Sequence, residues 1–152
     1  MTPRISARGL VVEKGRLLTT RYESNDERWF LTPGGGQELG ETLTETVRRE
    51  VREETGYEVG VESLAFVRDL VPSNHHGDGD DDNHRVDHFF WCELADDEPT
   101  APTEFDRKQD GVEWLSLDRL PVVSFFPSGL VGPLLARVES GNRDASYLGD
   151  VR

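Results

Sequence analysis

Hydrophobic residues along this chain come mostly in short alternating runs, and one stretch near the middle changes the period. Ile5 to Glu13 reads as a strand, Lys14-Gly15 as a turn and Arg16 to Tyr22 as a second strand, so the chain opens with a β-hairpin. The polar segment Glu23 to Arg28 is a loop, followed by a short extended piece, Trp29-Phe30-Leu31. Pro33 and the glycines Gly34, Gly35 and Gly36 interrupt the pattern. Such a run lets the backbone take φ > 0 and approach a ligand or another segment closely. Leu43, Val47 and Val51 then recur every four residues, the stripe of a helix docked on a sheet. Thr42 and Glu45 form a capping box at its start, and Gly56 is the C′ residue that stops it.

Beyond the helix, Tyr57 to Pro72 is extended, with Leu64, Phe66 and Leu70 on one alternating face, and Arg85 to Leu94 returns as an aromatic strand. The pair predicts a long hairpin whose connection, residues 73–84 (SNHHGDGDDDNH), is a solvated loop. His75, His76 and His84 with Asp78 to Asp82 match neither zinc nor EF-hand spacing, so this loop is not read as a metal site. A second acidic loop spans Ala95 to Asp110. A short strand from Val112 to Leu115, a short helix near Asp118 to Leu120 and a closing helix over roughly Ser128 to Ser140 follow, with Gly132-Pro133 set to tighten or kink its first turn. The tail after Gly141, residues 141–152, has no periodicity and is expected to be loose or packed across a neighbour. Neither a repeat nor a linker divides the chain, so residues 1–152 are expected to form one domain.

Composition narrows the function. A formal charge of −13 over 152 residues excludes sequence-independent binding to a nucleic-acid backbone, which needs a basic face. Lys14 and Lys108 are the only lysines, so the positive charge is nearly all arginine, suited to bidentate phosphate contacts. No apolar run reaches the roughly 20 residues of a membrane helix, and the N-terminal segment lacks a signal-peptide pattern, so a soluble, cytoplasmic protein is expected. Cys92 is the single cysteine, and its apolar setting reads as a small core residue.

Candidate chemistry gathers on the helix. At about 100° per residue, Glu54 lies roughly 40° from Glu50 and Glu53 roughly 60° away on the other flank. The three carboxylates share one face, at the margin of the apolar stripe, while Arg49 lies one turn before Glu53. Like charges at this spacing destabilise a helix unless a cation compensates, and clustered carboxylates are hard oxygen donors for a divalent metal.

Gly35, five residues, Glu41, seven residues, then Arg49-Glu50-Val51-Arg52-Glu53-Glu54-Thr55-Gly56-Tyr57 resembles the Nudix box, G-x5-E-x7-R-E-U-x-E-E-x-G-U, with U a bulky aliphatic. Tyr57, an aromatic at the last U, is the one departure. PGGG before the box and EWLSLDRL near the C-terminal end are also similar to the family. The resemblance implies an α+β fold, an α/β/α sandwich with a mixed central sheet and the box as loop–helix–loop. It implies Mg²⁺- or Mn²⁺-dependent hydrolysis of a nucleoside diphosphate linked to another group, a small-molecule nucleotide substrate, and a homodimer as a form to test. By the same carry-over, Glu50, Glu53 and Glu54 are the metal ligands, Arg49 orients one of them, Glu41 supports the site or holds a second metal, and the backbone of Gly34, Gly35 and Gly36 shapes the loop beneath the phosphates.

The general base is left open between Glu50 and a later carboxylate, Glu104, Asp106 or Glu113. Substrate choice is open too. Pro72, fifteen residues after Tyr57, is similar to ADP-ribose hydrolases of the family, while the WFLTPGGG approach resembles enzymes that remove oxidised nucleoside triphosphates. Two other classes compete. A nucleotide-sensing module without turnover commonly loses box glutamates, all of which are present here. An isoprenoid diphosphate isomerase would call for a catalytic cysteine, which Cys92 in a core-like strand does not provide.

Overall fold

The computed structural model describes residues 2–75 and 83–152. Strands β1 (Arg4–Glu13), β2 (Arg16–Ser24), β3 (Glu27–Leu31) and β4 (Gly34–Gly36) precede helix α1 (Leu43–Thr55). Strands β5 (Val59–Leu70), β6 (Arg85–Leu94), β7 (Gln109–Ser116) and β8 (Phe125–Phe126) follow, and helix α2 (Val131–Ser140) and strand β9 (Ser146–Asp150) close the chain. The short helix expected near Asp118 is a 3-10 turn over Leu117–Arg119, and a second such turn, Ser128–Leu130, leads into α2.

The opening hairpin pairs only near its turn, at Val12↔Leu17 and Glu13↔Arg16. Further back, β1 gives one edge to β4, antiparallel, and the other to β6, parallel from Arg4↔Arg85 to Val11↔Cys92. The β5–β6 hairpin forms as expected, while β2 carries β3 and β7, with β8 parallel to β3. The result is a mixed, curled sheet in the order β8-β3-β2-β1-β6-β5-β9.

Helices cover both faces, in the α/β/α arrangement that the sequence implies. Val47 and Val51 of α1 pack on Ala7, Val11, Val59 and Phe90. On the other face Leu134 of α2 packs with Leu10, Phe66, Phe89 and Trp91. Neighbours such as Phe89 and Phe90 therefore point into different cores, which is why Leu10 to Val12 of β1 and Phe89 to Cys92 of β6 are apolar without alternation. Cys92 is buried on the α1 side, and burial pushes its thiol up to about 12, as a core residue requires.

Two expectations are corrected and one is narrowed. Of the two forms expected for the tail, the packed one is found: β9 adds a parallel strand to the edge of β5, and Leu148 packs on the α2-side core. The three glycines are a strand paired to β1, and none of them has a positive φ. Leu64 and Phe66 do not share a face. The register of β5 against β6 shifts between them, so Leu64 packs towards α1 and Phe66 towards α2. The loop residues His76 and Asp78 to Asp82 lie outside the described residues. Among the described residues no helix is long and apolar enough to cross a membrane.

Candidate active site

Helix α1 presents the site, and its ends are set locally. The capping box is formed, with the Glu45 N–H donating to Thr42 Oγ1 at 3.2 Å, and Gly56 ends the helix at φ 79°. Strand β4 lies so close to its neighbours that a Cβ on Gly35 would meet the Glu50 carboxylate of α1 at 2.8 Å, and one on Gly34 would meet Ala7 O of β1 at 2.4 Å. The glycines serve close approach rather than an unusual turn.

That approach joins backbone to carboxylate. The Gly34 N–H donates to Glu54 Oε1 at 2.9 Å. Glu54 is only 2% exposed, inside the core margin rather than on it, and burial pushes its carboxyl up to about 8 despite the nearby Arg8 guanidinium. Burial also raises Glu50 above its ordinary value, outweighing its contacts with Arg49.

Arg49 brackets the rest. Its Nε donates to Glu41 Oε2 at 2.6 Å, its Nη1 to Glu50 Oε1 at 2.8 Å and Glu53 Oε2 at 3.3 Å, and its Nη2 to the Gly36 carbonyl at 3.1 Å. One guanidinium thus ties three box carboxylates to β4. Glu41 has both oxygens engaged, by Arg49, the Glu38 N–H and the Thr46 hydroxyl, and Arg49 above all holds its carboxyl down to about 2.

The second acidic loop is latched to the C-terminal end of α1. The N–H groups of Thr103 and Glu104 donate to Glu53 O at 3.0 and 2.9 Å, Thr100 N–H donates to Gly56 O, and Gln109 Nε2 donates to Glu54 O at 3.0 Å. Glu104 and Asp106 therefore line one concavity of about 300 Å³ with Glu50, Glu53 and Glu54. Asp106 has both oxygens occupied, Oδ2 by the Tyr22 hydroxyl at 3.0 Å and Oδ1 by the Arg107 N–H at 2.8 Å. Glu113 is not brought to this concavity: it sits on β7, paired with Arg21 and Arg119.

A larger cleft of about 640 Å³ opens beside β3, β5 and β6. Behind it lies a charged group that sequence reasoning missed. Asp87 is held between Arg68 Nε at 2.7 Å and Arg8 Nε at 3.9 Å, and it accepts from the Ser6 hydroxyl. Burial opposes its ionisation, yet Arg8 and Arg68 keep its carboxyl below the ordinary range. The available signal was Arg8 itself, a charge inside an apolar strand.

The sequence profile of the NUDIX domain matches residues 2–130. The chain belongs to the Nudix family. Solved structures similar to this Nudix chain include a NUDIX hydrolase from Nitrosomonas europaea, with a TM-score of 0.74 at 18% identity over 93% of this chain and 92% of that one. A UDP-X diphosphatase aligns with a TM-score of 0.71 at 22% identity, over 96% of this chain and 68% of the other. An ADP-ribose pyrophosphatase from Streptococcus suis gives 0.69 at 18% identity, over 96% and 99%. At these identities the likeness is one of fold. No curated protein matches the chain.

Nudix hydrolases generally use divalent metal ions, and the donors here suit one. Among the described residues no three His, Cys, Asp or Glu side chains converge tightly enough to enclose an ion. Arg49 accounts for part of that, since it engages one oxygen each of Glu50 and Glu53. A dedicated cage is not required, because Mg²⁺ characteristically takes one or two carboxylates and completes its shell with water and substrate phosphate. The donor set is all hard oxygen, and burial pushes the Glu54 carboxyl up to about 8, so a cation beside it would favour the ionised form.

Proposed function

We propose that this protein hydrolyses nucleoside diphosphates linked to a further group, with Mg²⁺ or Mn²⁺ as cofactor. The observation that carries the reading is the convergence of Glu50, Glu53 and Glu54 with the loop carboxylate Glu104 on one concavity beside β4. Family membership supports hydrolysis at a pyrophosphate linkage; metal dependence and substrate are our assignment.

In this reading Glu50, Glu53 and Glu54 would hold the metal, which would acidify a water and offset phosphate charge. Arg49 orients Glu50 and Glu53, and Glu41, with both oxygens engaged, braces Arg49 instead of holding a second ion. The Gly34, Gly35 and Gly36 backbone shapes the floor beneath the diphosphate. Glu104 takes the proton from the attacking water. Its side chain makes no hydrogen bond or ion pair among the described residues, while its own N–H is fixed to the helix that carries the ligands. The water oxygen bonds to phosphorus, the bridging P–O bond breaks, and two phosphate monoesters leave.

The test is a panel of nucleoside diphosphate derivatives and nucleoside triphosphates, each with Mg²⁺, Mn²⁺ or EDTA, with products separated by ion exchange. Metal-dependent cleavage of at least one is expected, reduced strongly in Glu53→Gln and Glu104→Gln. Binding without turnover across the panel would overturn the assignment in favour of a nucleotide sensor.

A further inference from the structure

The concavity over α1 sets two guanidinium groups, Arg49 and Arg107, against six carboxylic side chains. A diphosphate entering so negative a place needs hydrogen-bond donors from the protein besides the charge a cation supplies. Arg49 has none to give. All five of its N–H groups are engaged: Nε on Glu41, Nη1 on Glu50 and Glu53, and Nη2 on Glu41 and the Gly36 carbonyl.

Arg107 stands in the opposite condition. Its side chain is exposed and makes no hydrogen bond or ion pair among the described residues. The adjacent carboxylate does not claim it, because Asp106 accepts from the Tyr22 hydroxyl and from the backbone N–H of Arg107. Other arginines are already paired: Arg28 and Arg68, beside the larger cleft, hold Glu23 and Asp87.

The backbone that carries Arg107 is fixed from several sides. Asp106 N–H donates to Gln109 Oε1 at 2.9 Å, and Gln109 N–H donates back to Asp106 O at 3.0 Å. Lys108 takes a left-handed φ of 67° to close this turn. Gln109, only 7% exposed, donates its Nε2 to Glu54 O, while the Tyr22 hydroxyl holds Asp106 from β2. The turn is therefore pinned both to the helix that bears Glu50, Glu53 and Glu54 and to the sheet. A ligand that meets Arg107 orders one side chain and not a loop.

We propose that Arg107 grips the diphosphate of the substrate, donating two N–H groups to non-bridging oxygens of one phosphate. This rests on taking the α1 concavity as the diphosphate site. The planar fork of a guanidinium matches a phosphate face, which the point charge of a lysine does not.

The test is calorimetric titration of the full chain with α,β-methylene-ADP in Mg²⁺, a probe whose P–C–P bridge resists hydrolysis. Arg107→Gln should bind the probe about tenfold more weakly, the scale of one charge-assisted contact, at the melting temperature of wild type. Arg107→Lys should recover only part of the loss. Arg137→Gln removes the same charge from α2, on the opposite face of the sheet, and should leave binding unchanged. Unchanged affinity in Arg107→Gln, an equal loss in Arg137→Gln, or a loss that comes with a lower melting temperature overturns the proposal. The outcome separates from that of the substrate panel. Turnover there with equal binding here overturns only the role of Arg107, while a tenfold loss in Arg107→Gln without any turnover supports that role and overturns hydrolysis. A wild-type chain that does not bind the probe overturns both.

Discussion

Replacing Glu54 by glutamine tests how the fold tolerates the charge its chemistry needs. The Glu54 carboxyl ionises near 8 in the fold against an ordinary 4.5, first because it is buried. A raised folded value stabilises fully below 4.5, and that contribution drains as pH climbs through 8, because the unfolded chain releases its proton earlier. Between pH 5 and pH 8 the metal-free protein should therefore lose about 3 kcal/mol through this group alone, at 1.36 kcal/mol per pH unit of difference. Glutamine keeps the shape and the acceptor for the Gly34 N–H but does not titrate. Urea unfolding in EDTA, repeated across that range for wild type and Glu54→Gln, isolates the Glu54 titration together with its coupling to Glu50. The wild-type curve should fall about 3 kcal/mol further than the variant's, and Mg²⁺ at pH 8 should restore stability to wild type alone. Parallel pH profiles would refute the reasoning, since Glu54 would then be ionised at no cost and would not need a cation.

Three further outcomes are expected. Glu53→Gln should lower kcat by more than the roughly 10–100-fold typical of an outer-shell partner, with an unchanged melting temperature, because Glu53 is partly exposed and fills no core; near-wild-type turnover would contradict its role. Gly56→Ala places a Cβ 1.9 Å from Thr100 O at a left-handed φ of 79°, so denaturant unfolding should show a loss above the roughly 1–2 kcal/mol of the backbone term alone. Because the same loop carries Glu104, kcat should fall with it, and retained activity would show the latch to be dispensable. Mg²⁺ at about a hundred times its Kd should stabilise the wild-type fold by about 2.7 kcal/mol, and no shift in a thermal melt would exclude a preformed site.

Local chemistry made much of this protein legible from sequence. The box helix was readable to its ends, because Thr42, Glu45 and Gly56 act on backbone groups within one turn. The shared face of Glu50, Glu53 and Glu54 followed from helical period alone, as did the reach of Arg49 to Glu53. Long-range partners were another matter. The segment Ser146–Asp150 is too short and polar to announce a strand, and it becomes one because the edge of β5 offers unpaired backbone groups. The bulges that turn Leu64 and Phe66 to opposite faces arise from pairing with β6, which no local pattern encodes.

The same division holds at the site. Sequence by itself determined which carboxylates stand together, since spacing along one helix sets that. Only the tertiary structure decided their states and neighbours. Burial against β4 raises Glu54, while Arg49 and two hydrogen-bond donors hold Glu41 low. Hydrogen bonds to the end of α1 bring Glu104 and Asp106 over the box, and pairing on β7 takes Glu113 away. The arginines of the larger cleft, from residue 28 to residue 152, meet only when the sheet curls. Proximity between distant residues is a property of the packed chain, and ionisation follows proximity and burial rather than residue type.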